Sequence, residues 1–384
     1  MKFSFQTCVI VLFASLIGVA SCKKLDDEPD VGEVSLVSRL YISFRDYQPN
    51  SSSIKNLFIV DPADTNNLDN IYQYLSPAKG GGAVIFDPNA KAIFQASEGS
   101  IAQDTFIQRI SLDNDAYGIP GNASALGYTG FRNVRGLAYY TYAQQVGNTG
   151  SSVTNFLLAA TGGNMLYAVS RPEGKGGSTG GSKIIDKQIS LGKIVPTSLT
   201  LLQGNTADKN DKLLLVGFES DGTSKGNGFA VFTLLKQELI DRPRDTIVAE
   251  SRFVPTLKVY VQGKTGLGAV SYAPNKKLFA VATTEKEVLF FRNPKELFTG
   301  TGEKTVRPDY VIGGSATGLE EPTGVAIDDR IENGKFLYIS DTKNRKISRF
   351  KLEDQGNTAP ELTKTYGTMT PNYIFLDARE RPNF

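Results

Sequence analysis

Two stretches far apart in the chain share one template: Gly82-Ala-Val-Ile-Phe-Asp-Pro-Asn-Ala-Lys-Ala-Ile-Phe-Gln-Ala-Ser97 and Gly268-Ala-Val-Ser-Tyr-Ala-Pro-Asn-Lys-Lys-Leu-Phe-Ala-Val-Ala-Thr283. Each runs glycine, short apolar run, Pro-Asn turn, lysine, second apolar run. Each is followed by a third strand-like run, Phe106-Ile-Gln-Arg-Ile110 and Val288-Leu-Phe-Phe-Arg292. Runs of four to eight apolar and β-branched residues bounded by turn formers read as consecutive antiparallel strands.

Working outward, a further copy spans Pro322 to Phe350, and weaker ones start at Arg135 and Ser198. The N-terminal copy is incomplete: Arg39-Leu-Tyr-Ile-Ser-Phe44 and Leu57-Phe-Ile-Val60 lack a first strand, and Asn372-Tyr-Ile-Phe-Leu-Asp377 near the C-terminus supplies one. A repeat whose last strand completes the first unit is the signature of a ring that removes free sheet edges. The expectation is an all-β chain, a β-propeller of six blades closed by a C-terminal strand. Long insertions are expected at Tyr142 to Thr154, Gly174 to Ser182 and Lys236 to Gln262, with a helical turn within Leu234 to Ile240.

The segment Pro322-Thr-Gly-Val-Ala-Ile-Asp328, then Leu337-Tyr-Ile-Ser-Asp-Thr-Lys-Asn-Arg-Lys-Ile-Ser-Arg-Phe350, resembles an NHL repeat, whose copies build six-bladed propellers. The match covers one blade, is partial at Gly82 and Gly268, and is poor elsewhere. Members of that family include binding scaffolds and a few enzymes, so the resemblance implies a fold far more than a function.

The first residues carry a short cationic start, Met1-Lys2, an apolar run from Val9 to Val19, and the small residues Ala20 and Ser21 before Cys22. That is the layout of a secretory signal. The run is about 11 residues, against roughly 20 for a spanning helix. Val19-Ala20-Ser21-Cys22 resembles the lipobox of bacterial lipoproteins, which implies cleavage before Cys22 and lipidation of its thiol. Cys8 falls in the discarded part, leaving Cys22 without a disulfide partner. Residues 1–21 are thus expected to be a signal, 22–35 a lipidated cysteine with a charged tether, and 36–384 the propeller. Cys22-Lys-Lys followed by Asp26-Asp-Glu28 resembles the export signal of lipoproteins shown on the outer face of a Gram-negative outer membrane, which favours the cell surface over the periplasmic face.

A net charge of +2 without a basic block argues against nucleic acid as a partner. The chain contains no histidine, which excludes Ser-His-Asp and Cys-His catalysis and histidine zinc sites. Gly176-Gly-Ser-Thr-Gly-Gly-Ser-Lys183 lacks the Gly-Lys-Ser order of a phosphate loop and reads as a loop tip. Asp64-Thr-Asn-Asn-Leu-Asp69 lacks the glycine and distal glutamate of a calcium loop and reads as a capped turn. Asp341 to Arg345 reads as a hairpin turn in which Arg345 pairs with Asp341.

One constellation remains when residues are placed by blade position. Asp46, Glu98, Glu219, Glu285 and Asp341 fall at the ends of second strands, and Asn133, Arg135, Glu321 and Asn372 where the chain enters inner strands. Converging on one face, they would suit calcium or a hydroxyl-rich ligand; polar residues that merely end strands explain them equally. Tyr47, Tyr139, Tyr140 and Tyr142 are candidates for stacking on sugar rings, or core residues. Three functions stay open: a lipid-anchored monomeric binding or interaction module without catalysis, taking carbohydrate or an envelope protein; a metal-dependent hydrolase or lyase using carboxylate and asparagine ligands; and a structural subunit of an envelope complex.

Overall fold

The computed structural model describes residues 35–47, 54–99, 104–114, 119–146, 150–175, 184–204, 206, 208–242 and 247–381. The signal segment, Cys22, the tether as far as residue 34 and the loop at 176–183 lie outside the described residues. The compact unit is Ser38–Arg379, and the architecture below is that of this unit.

The strands form six sheets, each built on an antiparallel blade of four strands that follow chain order outward from the axis, except in the first. Blade 1 has the C-terminal strand Pro371–Arg381 innermost, followed outward by Ser35–Phe44, Leu57–Val60 and Ile71–Tyr74. Blade 2 is Gly81–Asp87, Ala92–Ser97, Phe106–Asn114 and Ile119–Gly127; blade 3 is Val134–Val146, Gly150–Thr161, Met165–Ser170 and Lys187–Ser190. Blade 4 is Val195–Gln203, Lys212–Ser220, Gly228–Phe232 and Leu257–Val261. Blade 5 is Leu267–Ala273, Leu278–Thr283, Glu287–Arg292 and Tyr310–Gly313; blade 6 is Pro322–Ile327, Phe336–Asp341, Lys346–Lys351 and Leu362–Thr365. This is the six-bladed propeller expected from the repeat, with the C-terminal strand in the place assigned to it.

The packing explains why second strands read as unbroken apolar runs. Successive side chains of a strand point to opposite faces, and here each face meets a different neighbouring blade. In Leu278–Thr283, Phe279 and Val281 pack toward blade 4 while Leu278, Ala280 and Ala282 pack toward blade 6. One apolar cluster lies at each of the six blade junctions, including blade 6 to blade 1 and blade 1 to blade 2.

Two expected insertions turn out to be sheet. Tyr142 to Thr154 prolongs the first hairpin of blade 3, with Tyr142 opposite Thr154 and Ala143 opposite Val153. Lys236 to Gln262 contains the fourth strand of blade 4, together with Ile247–Val248, which adds a parallel strand to the edge of blade 3. The expected helical turn is present as a π-helical turn at Gln237–Asp241, where the buried Glu238 carboxylate faces Arg242 at 3.2 Å and Arg252 at 3.1 Å. Gly302–Val306 likewise pairs in parallel with Leu257–Val261, so blades 3 and 4 each gain a fifth strand.

Candidate functional site at the mouth of the axial channel

The inner strands of blades 2 to 6 share a local irregularity. Pairing with the second strand slips between Gly81 and Val84, Val134 and Gly136, Val195 and Ser198, Leu267 and Val270, and Pro322 and Gly324. A bulge bends its strand and re-aims the side chains beside it. Repeated around a ring, these bulges set the residues that begin the inner strands around one opening, a cavity of about 240 Å³.

That opening is lined by Arg45, Glu98, Asn133, Arg135, Thr197 and Glu219, and on the far side by Thr284, Glu321, Thr323, Asn372 and Tyr373. Six residues singled out in the sequence therefore stand around it: Glu98, Asn133, Arg135, Glu219, Glu321 and Asn372. Asn133 takes a left-handed backbone (φ 55°), and its amide lies so close to Gly162 that a Cβ there would sit 2.4 Å from Nδ2. Asn372 is buried and structural: its Nδ2 donates to the Gly81 carbonyl at 2.9 Å, while its own carbonyl accepts from Thr323 Oγ1 at 2.7 Å and Ser340 Oγ at 2.6 Å. It thereby ties blades 6, 1 and 2 together at the seam of the ring.

The other three acids do not line the opening, because backbone donors take them. Asp341, fully buried, accepts from the amides of Glu320 (2.6 Å), Glu321 (3.3 Å) and Asn344 (2.9 Å) rather than pairing with Arg345, which occupies a left-handed turn position. Glu285 accepts from the Thr265 amide at 3.0 Å and Asp46 from the Thr370 amide at 2.5 Å. The five acids therefore do not converge, and among the described residues no three acids stand at metal-binding spacing. In the turn at Asp64 to Asp69, Asp64 bonds Arg330 at 2.6 Å and Asp69 pairs with Lys364.

The charges at the opening are unequally committed. Arg45 Nε meets Glu98 Oε1 at 3.3 Å. Arg135, Glu219 and Glu321 have no side-chain partner among the described residues, and Thr197 Oγ1 is buried without one. The floor is Tyr373, the aromatic residue that the sequence reading passed over. It reaches across the axis from blade 1 to the Arg135 carbonyl of blade 3, a long contact of 3.5 Å. Burial raises its phenol above the usual range, partly offset by the Arg135 and Arg45 guanidiniums. The tyrosines proposed for stacking lie elsewhere: Tyr140 is buried with its hydroxyl on the Asn210 carbonyl at 3.2 Å, Tyr139 stacks on Phe94, and Tyr142 lies under Lys236. Tyr47 does not line the opening.

Below Tyr373 a second cavity, about 220 Å³, continues along the axis between apolar side chains of all six inner strands, among them Val84, Leu137, Leu199, Val270, Val325 and Ile374. Its ionisable lining at the far end is Asp329, whose Oδ1 accepts from the amides of Asn275 at 2.8 Å and Lys276 at 3.1 Å. Desolvation outweighs these donors and raises its pKa to about 6. A carboxyl whose folded pKa is raised binds its proton more tightly when folded, so its contribution is full below the unfolded value near 4 and is lost as pH rises through about 6. Asp329→Asn should therefore remove a stability decline between pH 4 and 6; denaturant midpoints that keep the same pH slope in both proteins would contradict this.

No family model and no curated protein matches the chain in sequence. Among solved structures, a chain from a nidogen/laminin complex is similar, with a TM-score of 0.52 at 12% identity over 88% of this chain and 98% of that one. At that identity the likeness shows the propeller fold alone.

Proposed function

We propose that the protein is a lipid-anchored, extracytoplasmic propeller of NHL type that binds a small polar ligand at the mouth of its channel and does not transform it. The observation that carries the ligand site is the set of uncommitted ionic groups, Arg135, Glu219 and Glu321, around one bulge-lined opening. Polar groups that fold nothing but share a concave site are what a ligand requires. Resident calcium is not needed in this reading, because Arg135 opposes a cation and three of the five acids are spent on backbone amides. Outer-membrane attachment through Cys22, with the propeller at the cell surface, accounts for the signal and the charged tether.

Two measurements test it. Melting the purified chain against a panel of sugars, amino acids and short peptides should find a ligand that stabilises the folded state, by about 2.7 kcal/mol when free ligand is 100 times its dissociation constant. Arg135→Gln should abolish that response, and the ligand should be recovered unchanged; turnover, or a response indifferent to Arg135, contradicts the reading. Separately, Cys22→Ser should move the protein from the membrane fraction to the soluble one with the same melting temperature. Retention in the membrane fraction would refute the anchor.

A further inference from the structure

Five charged residues line the mouth, and their pairing leaves a definite remainder. Arg45 and Glu98 neutralise one another. What is left is one guanidinium from blade 3 and two carboxylates from blades 4 and 6, set about a cavity of about 240 Å³. That is smaller than the roughly 300–1,000 Å³ of sites for drug-sized molecules and has room for one compact ligand.

We propose that the mouth binds a small molecule carrying the inverse set, one carboxylate and two cationic nitrogens: a free basic amino acid of the lysine class. This rests on the mouth being the ligand site. The carboxylate takes the planar fork of Arg135, which can donate two parallel hydrogen bonds. The two ammonium groups meet Glu219 and Glu321. Asn133 lines the same opening with a neutral amide, and Tyr373 closes the floor. Other ligands fit less well. A neutral sugar leaves three charges uncompensated as water is displaced, and a divalent cation is repelled by Arg135 and finds no three acids at ligating distance.

Titration calorimetry of the purified full chain with L-lysine at low salt tests this. The expected result is one saturable site whose affinity falls at least about tenfold in each of Arg135→Gln, Glu219→Gln and Glu321→Gln, a tenfold change being about 1.4 kcal/mol. Lysinamide, which lacks the carboxylate, should bind the wild type more weakly than lysine and bind Arg135→Gln equally. Norleucine, which lacks the side-chain ammonium, should lose affinity and become insensitive to one of the two glutamate variants. Peptides with lysine at the amino or carboxyl end, in which the peptide bond removes the α-carboxylate or the α-ammonium, should bind more weakly than free lysine; a peptide that binds more tightly overturns the three-charge assignment. Unchanged melting temperatures verify that the variants fold. Absence of saturable binding at millimolar lysine, or binding undiminished in all three variants, overturns the proposal. The panel response of Arg135→Gln to other ligands then decides separately whether the mouth binds anything.

Discussion

Deleting the chain from Thr370 onward should abolish cooperative folding rather than merely shorten a terminus. Chain ends ordinarily fray at little cost. Here the end is the innermost strand of blade 1, and it carries Tyr373, Ile374, Phe375 and Leu376 into the junctions with blades 2, 3 and 6. Full burial of one such side chain contributes about 1.5–3 kcal/mol, against a total stability of about 5–15 kcal/mol for a domain. The deletion also strips the Asn372 bonds to Gly81, Thr323 and Ser340, leaving buried polar groups without partners. Near-ultraviolet dichroism of the truncated chain should show no sharp transition. A melt within about two degrees of the full chain would falsify closure by this strand.

Asp328→Ala should cost about 3–5 kcal/mol, the typical penalty for stranding one partner of a buried ion pair. Arg330 is almost wholly buried and bonds Asp328 through both ends of its fork, at 2.9 Å and 2.7 Å, and reaches Asp64 of blade 1 at 2.6 Å. Two neighbouring contacts cross the same seam from blade 6, Tyr338 to the Ala63 carbonyl at 3.0 Å and Arg349 to that carbonyl at 3.3 Å. Loss of the Asp328 carboxylate leaves a buried guanidinium with Asp64, whose side chain is 29% exposed, as its remaining counter-charge. The melting temperature should fall by about 4–7 °C, at roughly 1.4 °C per kcal/mol for a unit of this size with an unfolding entropy of about 2.1 cal/mol/K per residue. The double variant Asp328→Leu/Arg330→Met should recover most of the loss, because removing both charges removes the desolvation penalty as well. If the double variant were as unstable as the single one, packing rather than charge would be responsible.

The second strands of the blades were legible because both of their faces are buried, which leaves continuous apolar runs such as Leu278 to Thr283. The fourth strands were not. Ile71–Tyr74 and Leu362–Thr365 lie at the rim with half of their residues in water, and a short half-exposed run carries little strand signal. Leu257–Val261, largely buried and paired on both sides, was absorbed into a supposed insertion for another reason: a helical turn and a small edge strand precede it, and spacing alone does not tell an insertion from a late strand. At the mouth, the blade positions of Glu98, Asn133, Arg135, Glu219, Glu321 and Asn372 were readable because a repeat carries equivalent positions to one face. Tyr373 was missed because an aromatic residue inside an apolar run has no mark that sets it apart from core.

The sequence by itself determined the number of blades, their antiparallel build and the return of the C-terminus to the first blade. These follow from local patterning and from the need to leave no sheet edge unpaired. Only the tertiary structure decided which of the polar residues ending strands remain uncommitted. Asp341 and Glu219 both lie at the ends of second strands, Asp341 opposite the first residue of its inner strand and Glu219 within the bulge of blade 4, yet the amides of Glu320 and Glu321 claim the first while the second stays exposed at the channel mouth. Whether a carboxylate is spent depends on which donors the bulges and turns bring within about 3 Å, and that distance is set by packing between blades rather than by any pattern along the chain.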